Sequence, residues 1–177
     1  MRINFYPESN DSTLVAASVE YQDIWNLKGH TFVKVLESET GLPLPNIVLN
    51  ALVYEGISRS HPLILRASYS SDIKAAVLVH ELGHRILTAN GFMPEADENF
   101  HLNAHKLLYL FLYEVYAALF SEKQADAIVN WESNLRPSYR VCWQWALDLG
   151  EAKRKVRLER MKSRKKDGLP YLNGVFS

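Results

Sequence analysis

One stretch, AAVLVHELGHRIL at residues 75 to 87, constrains this chain more than any other. It is apolar enough to demand burial, yet it carries His80, Glu81 and His84. On a helix, side chains four residues apart project from the same face one turn apart, so the two imidazoles are neighbours and Glu81 sits beside them. Three ionisable groups set into an apolar helix are costly to bury unless a strong partner takes them up. The spacing can hold one metal ion, which is such a partner.

The remainder of the chain is compatible with a folded, water-soluble protein. Its 177 residues suffice for one domain with a substantial core and no need of disulfides. No apolar run approaches the roughly 18 residues that a membrane helix requires. Cys142 is the only cysteine, which excludes an intrachain disulfide, and no histidine-containing signature surrounds it, so thiol catalysis is not expected. The first residues, MRINFYPESND, lack the apolar centre of a secretory signal, and a cytoplasmic location is expected. The zero net charge conceals an asymmetry: residues 1 to 150 carry 11 Lys/Arg and 17 Asp/Glu, residues 151 to 177 carry 9 and 3. Such a basic segment is either an ordinary solvated helix face or a contact for an acidic partner or nucleic acid.

Pattern and punctuation predict the elements. Residues 2 to 6 alternate and are closed by Pro7, as in a strand at a sheet edge. Residues 14 to 39 repeat at helical intervals and predict one long helix, or two shorter ones if Gly29 breaks it. Residues 47 to 54 and 63 to 69 read as strands, and Ser70 or Ser71 offers an N-cap for the histidine helix, which should run from about 72 to 89 and stop at Asn90-Gly91. Residues 100 to 120 predict one buried helix, residues 121 to 134 another with a capping box at Ser121 and Gln124, and Arg136-Pro137 a break. A last helix from about 139 carries Trp143 and Trp145 as core anchors and continues into the basic segment, about 151 to 167. The whole predicts an α+β protein, a single domain with a small mixed sheet and additional helices.

A catalytic zinc ion takes three protein ligands and keeps one open position, and it supplies an activated water and a polarised substrate carbonyl. His80 and His84 provide two ligands. Glu81 points towards the open side, where a carboxylate can accept a proton from the attacking water and pass it to the leaving amine.

His80-Glu81-Leu82-Gly83-His84 resembles the HExxH signature of the zincin metallopeptidases, and the order of strand, histidine helix and following helix over residues 47 to 134 is similar to the minimal zincin core. The resemblance implies zinc, peptide-bond hydrolysis, and an extended peptide or protein substrate lying against the strand at 63 to 69. Arg85 departs from it, since many members carry an uncharged residue there.

The third ligand is open at this stage. Leu87 and Asn90 exclude the metzincin continuation HExxHxxGxxH. If the two helices are antiparallel about residue 95, His84 faces a position near 106, which favours His105, with His101 one turn away as its supporter or substitute. Glu114 lies on the opposite face from His105, and Glu122 begins EKQAD, which resembles the ExxAD segment of some gluzincins; each resembles a gluzincin third ligand. Tyr109, Tyr113 and Tyr116 are either core packing or a source of a phenol for an oxyanion. His30 and His61 are isolated and read as surface or structural. The expectation is a zinc metallopeptidase with Glu81 as base and His80, His84 and His105 as ligands. The alternatives are a binding module working through its basic segment and a structural zinc site.

Overall fold

A computed structural model describes residues 1–172 and 174–176. The element order is β1 (Arg2–Pro7), α1 (Ser12–Thr40), β2 (Val48–Tyr54), β3 (Ile64–Arg66), α2 (Ser71–Ala89), α3 (Phe100–Tyr109), α4 (Leu112–Phe120), α5 (Glu122–Ser133) and α6 (Pro137–Lys166). The fold is α+β. Among the described residues no helix is long and apolar enough to cross a membrane. The chain packs as two compact units, Met1–Gly91 and Phe92–Ser177.

In the first unit the strands lie in the order β1-β2-β3. Both pairings are parallel, which corrects the mixed sheet expected above. The physical reason is the connection: α1 carries the chain back after β1, so β2 starts at the same end of the sheet. Antiparallel pairing among the described residues is confined to an isolated bridge between Arg59 and Ile64. The register sets Ile3 beside Leu49, Phe5 beside Ala51 and Val53 beside Leu65, all buried, so one sheet face is apolar throughout. Phe5 stacks on Tyr21 of α1 with ring centroids 5.7 Å apart, and helix α1 covers this face.

Helix α1 begins where the Asp11 carboxylate accepts hydrogen bonds from the amides of Thr13 and Leu14, and it ends at Gly41 with φ 64°. It runs unbroken through Gly29, the one long helix of the two alternatives. Gly29 is buried beneath the Trp25 ring, so closely that a Cβ there would lie 2.6 Å from it. The residue is small because the indole lies on it. Helix α2 is buried without interruption from Lys74 to Gly83. Lys74 is accommodated by an ion pair with Glu20 and by the Tyr21 ring 5.6 Å away.

The second unit corrects the single helix expected over residues 100 to 120. The segment divides into α3 and α4, with Phe111 at φ −135° and ψ −14° between them. Leu107 through Leu112 are all buried, and six successive side chains cannot all face one side of a straight helix; the change of direction buries them together. Ser121, at φ 127°, accepts the Gln124 amide at 3.3 Å and starts α5. Pro137 occupies the first turn of α6, which Gly150 interrupts at φ 72°, ψ 158°. Trp143 is a core anchor as expected, 1 % exposed, whereas Trp145 is only half-buried and lies under the cations of Lys106 and Arg157. The basic segment is largely spoken for. Arg154 is buried, paired with Glu114, and donates to the Ala146 carbonyl; Arg157 and Arg164 donate to the carbonyls of Val175 and Pro170.

Candidate metal centre

Within the first unit, α2 brings His80, Glu81 and His84 together as the spacing predicts. His80 and Glu81 are each 6 % exposed and His84 is half-buried. The two imidazoles meet edge to face, with centroids 5.1 Å apart and planes at 63°. Leu78, Val79, Leu82 and Ile86 are fully buried on the opposite side of the same helix and anchor it in the core.

Several ionisable groups of the same unit feel the charge of Glu81. Burial pushes the Tyr21 phenol up, and the charges of Tyr69, Glu20 and Glu81 add to that. Burial likewise raises the Tyr69 phenol, against the Arg66 guanidinium. Burial depresses the Arg85 guanidinium while Glu81 works in the other direction. His61 is lowered by burial and by the charge of Arg85, and its Nδ1 lies 3.0 Å from the Ser60 hydroxyl. Both His61 and His30 are exposed, in keeping with the surface reading.

Strand β3 precedes this helix at the sheet edge, but its outward backbone groups are already engaged. Ile64 exchanges both hydrogen bonds with Arg59, each 2.9 Å; the Arg66 amide donates to the Ser58 hydroxyl at 3.1 Å, and the Arg66 carbonyl accepts from Tyr21 at 2.9 Å. A peptide cannot add as a strand at Ile64–Arg66 without displacing these partners.

In the second unit, His105 on α3 is buried and its Nδ1 lies 2.7 Å from the carbonyl oxygen of His101. A carbonyl only accepts, so Nδ1 carries the proton and Nε2 keeps the lone pair that a metal would use. The ring lies 4.4 Å from Tyr139 and 5.8 Å from Tyr109, which stacks on Trp143 at 3.8 Å. The His101 side chain is exposed and lies against Phe100. Glu114 is committed to its ion pair with Arg154, and Glu122 is exposed in the first turn of α5. Tyr113 donates to Asp126 at 2.9 Å and Tyr116 to Glu132 at 2.8 Å. Cys142 is buried, its thiol is pushed up to about 11 by burial against the opposing effect of Lys106, and it donates to the Leu102 carbonyl; such a thiol is inert at neutral pH.

Glu132 went unnoticed in the sequence. It is 2 % exposed and also accepts a hydrogen bond from Trp143 Nε1 at 2.8 Å. Its signal was available, since Ala125, Ile128, Val129 and Glu132 form the buried stripe of α5 and a carboxylate within such a stripe needs donors.

No protein-family model, curated protein or solved structure matches the chain.

Proposed function

We propose that the chain is a zinc-dependent hydrolase of peptide bonds in which His80, His84 and His105 hold the metal and Glu81 is the general base. The observation that carries this reading is the pair of α2 imidazoles, His80 and His84, whose ring centroids lie 5.1 Å apart beside the buried carboxylate of Glu81. Three imidazoles form a donor set suited to zinc, and the fixed Nδ1–H of His105 presents the correct nitrogen. When bound, zinc would activate a water near neutral pH and polarise a substrate carbonyl. Glu81, buried next to both α2 histidines, is placed to take the proton from that water and deliver it to the departing amine.

The competing reading, a module that binds nucleic acid or an acidic partner through its basic segment, has less support. Six of the nine cations of residues 151 to 177 are engaged. Arg154, Arg157 and Arg164 are held as described above, Lys155 and Lys162 pair with Glu151 and Glu159, and Lys165 lies over the rings of Phe92 and Tyr171.

The test is metal content against turnover. Glu81→Gln should bind zinc as the parent does and lose cleavage of an unfolded protein substrate; a Glu81→Gln protein that cleaves at the parental rate refutes the assignment.

A further inference from the structure

Arg85 occupies an unusual position for an arginine. It lies one helical turn beyond Glu81, so the two side chains share a face of α2 immediately beside the histidine face. The guanidinium is half-buried, and its Nε is shielded from water without a hydrogen-bond partner. Among the described residues no carboxylate is in ion-pair contact with it, although Glu81 is close enough for the two charges to act on one another. His61, on the segment before β3, also feels its charge and is not an anion. The surroundings therefore hold a cation partly out of water and leave its Nε donor unanswered, a costly arrangement that an incoming anion would relieve. A guanidinium accepts a carboxylate best, through two parallel hydrogen bonds.

The engaged edge of β3 bears on the same point. With Ile64 and Arg66 bonded to Arg59, Ser58 and Tyr21, backbone pairing at that strand is not available to anchor a substrate. A side-chain anchor has to supply the orientation that strand addition would otherwise give.

We propose that Arg85 is a substrate-recognition residue that binds a carboxylate of the peptide beside the bond to be cleaved, by virtue of its half-buried guanidinium, whose shielded Nε has no partner, one turn from Glu81. This inference rests on the hydrolase reading for the meaning of the site, and the shared chemistry has two sources: an acidic side chain within the peptide or its free C-terminus.

The experiment uses the full chain carrying Glu81→Gln, loaded with zinc and immobilised, so that bound peptides are not consumed. Three pools of otherwise identical mixed neutral peptides are passed over it: C-terminally amidated, bearing a free C-terminal carboxylate, or amidated with one internal glutamate. Retention is read by mass spectrometry and zinc content by elemental analysis. One carboxylate-bearing pool should be retained about tenfold or more over the neutral amidated pool, which is the scale of one charge-assisted hydrogen bond; the pool that prevails identifies the source. Adding Arg85→Gln should abolish the preference and Arg85→Lys should restore part of it, with zinc content unchanged in both. Equal retention of the three pools, or a carboxylate preference that survives Arg85→Gln, overturns the proposal. Absence of zinc binding would instead overturn the metal reading, and the Arg85-dependent preference remains readable without it.

Discussion

His105 Nδ1 lies 2.7 Å from the carbonyl oxygen of His101, one helical turn earlier. The relationship gives the two histidines different roles, because His101 contributes a backbone atom and His105 an imidazole. On the proposed reading, His105→Ala should lower zinc affinity by about 100-fold or more, while His101→Ala, which keeps the carbonyl, should change it less than about threefold. Glu114→Gln should also spare zinc, since Glu114 is occupied by Arg154. Competition against a chromophoric chelator measures all three.

The buried carboxylate of Glu132 accepts from Tyr116 and Trp143. Replacing it by alanine leaves a buried hydroxyl and a buried indole N–H without their acceptor. Glu132→Ala should therefore cost about 3 kcal/mol or more of stability, and Glu132→Gln less, because one carbonyl oxygen remains to accept. Urea unfolding of the two variants at neutral pH decides the order.

Gly29 sits in the middle of α1, where alanine would ordinarily stabilise a helix by about 1 kcal/mol. Here the added methyl would stand 2.6 Å from the Trp25 ring, which is 8 % exposed and has little room to withdraw. Gly29→Ala should destabilise the protein by about 1–3 kcal/mol, opposite in sign to the propensity expectation. A thermal melt that rises on this substitution would contradict the packing described.

Glu20 pairs with Lys74, which α2 buries. Burial of the carboxyl acts to raise its pKa, but the hydrogen bonds from Lys74 and Ser71 outweigh it and hold the group below its ordinary value of 4.5. A depressed carboxyl contributes stability above its unfolded pKa and loses it as pH falls through the folded one. The parent protein should thus lose stability as pH falls below about 4.5, and Glu20→Gln should show a smaller loss over that window while being less stable at pH 7. Unfolding curves across that pH range compare the two directly.

Local chemistry made much of this protein readable in one dimension. The alternation of residues 2 to 6, the β-branched apolar run of 47 to 54, the helical stop at Asn90-Gly91, the cap at Ser121 and the Arg136-Pro137 break each depend on a few adjacent residues, and the corresponding elements formed. The proximity of His80, Glu81 and His84 belongs to the same class, since helix geometry alone determines it. The break at Leu110 and Phe111 carries no glycine or proline, because its cause is the burial of six successive side chains. Gly29 has the composition of a helix break and serves as the seat of an indole, which only the packed helix reveals.

The sequence by itself determined a buried helix presenting two imidazoles and a carboxylate on adjoining faces, for every contact involved lies within five residues. Tertiary structure decided what those groups encounter. It engaged the edge of β3 with Ser58, Arg59 and Tyr21, committed Glu114 to Arg154 and Glu132 to Tyr116 and Trp143, and among the described residues left the Arg85 Nε without a hydrogen-bond partner. Those outcomes depend on residues far apart in the chain competing for the same few donors and acceptors, and spacing along the chain carries no record of that competition.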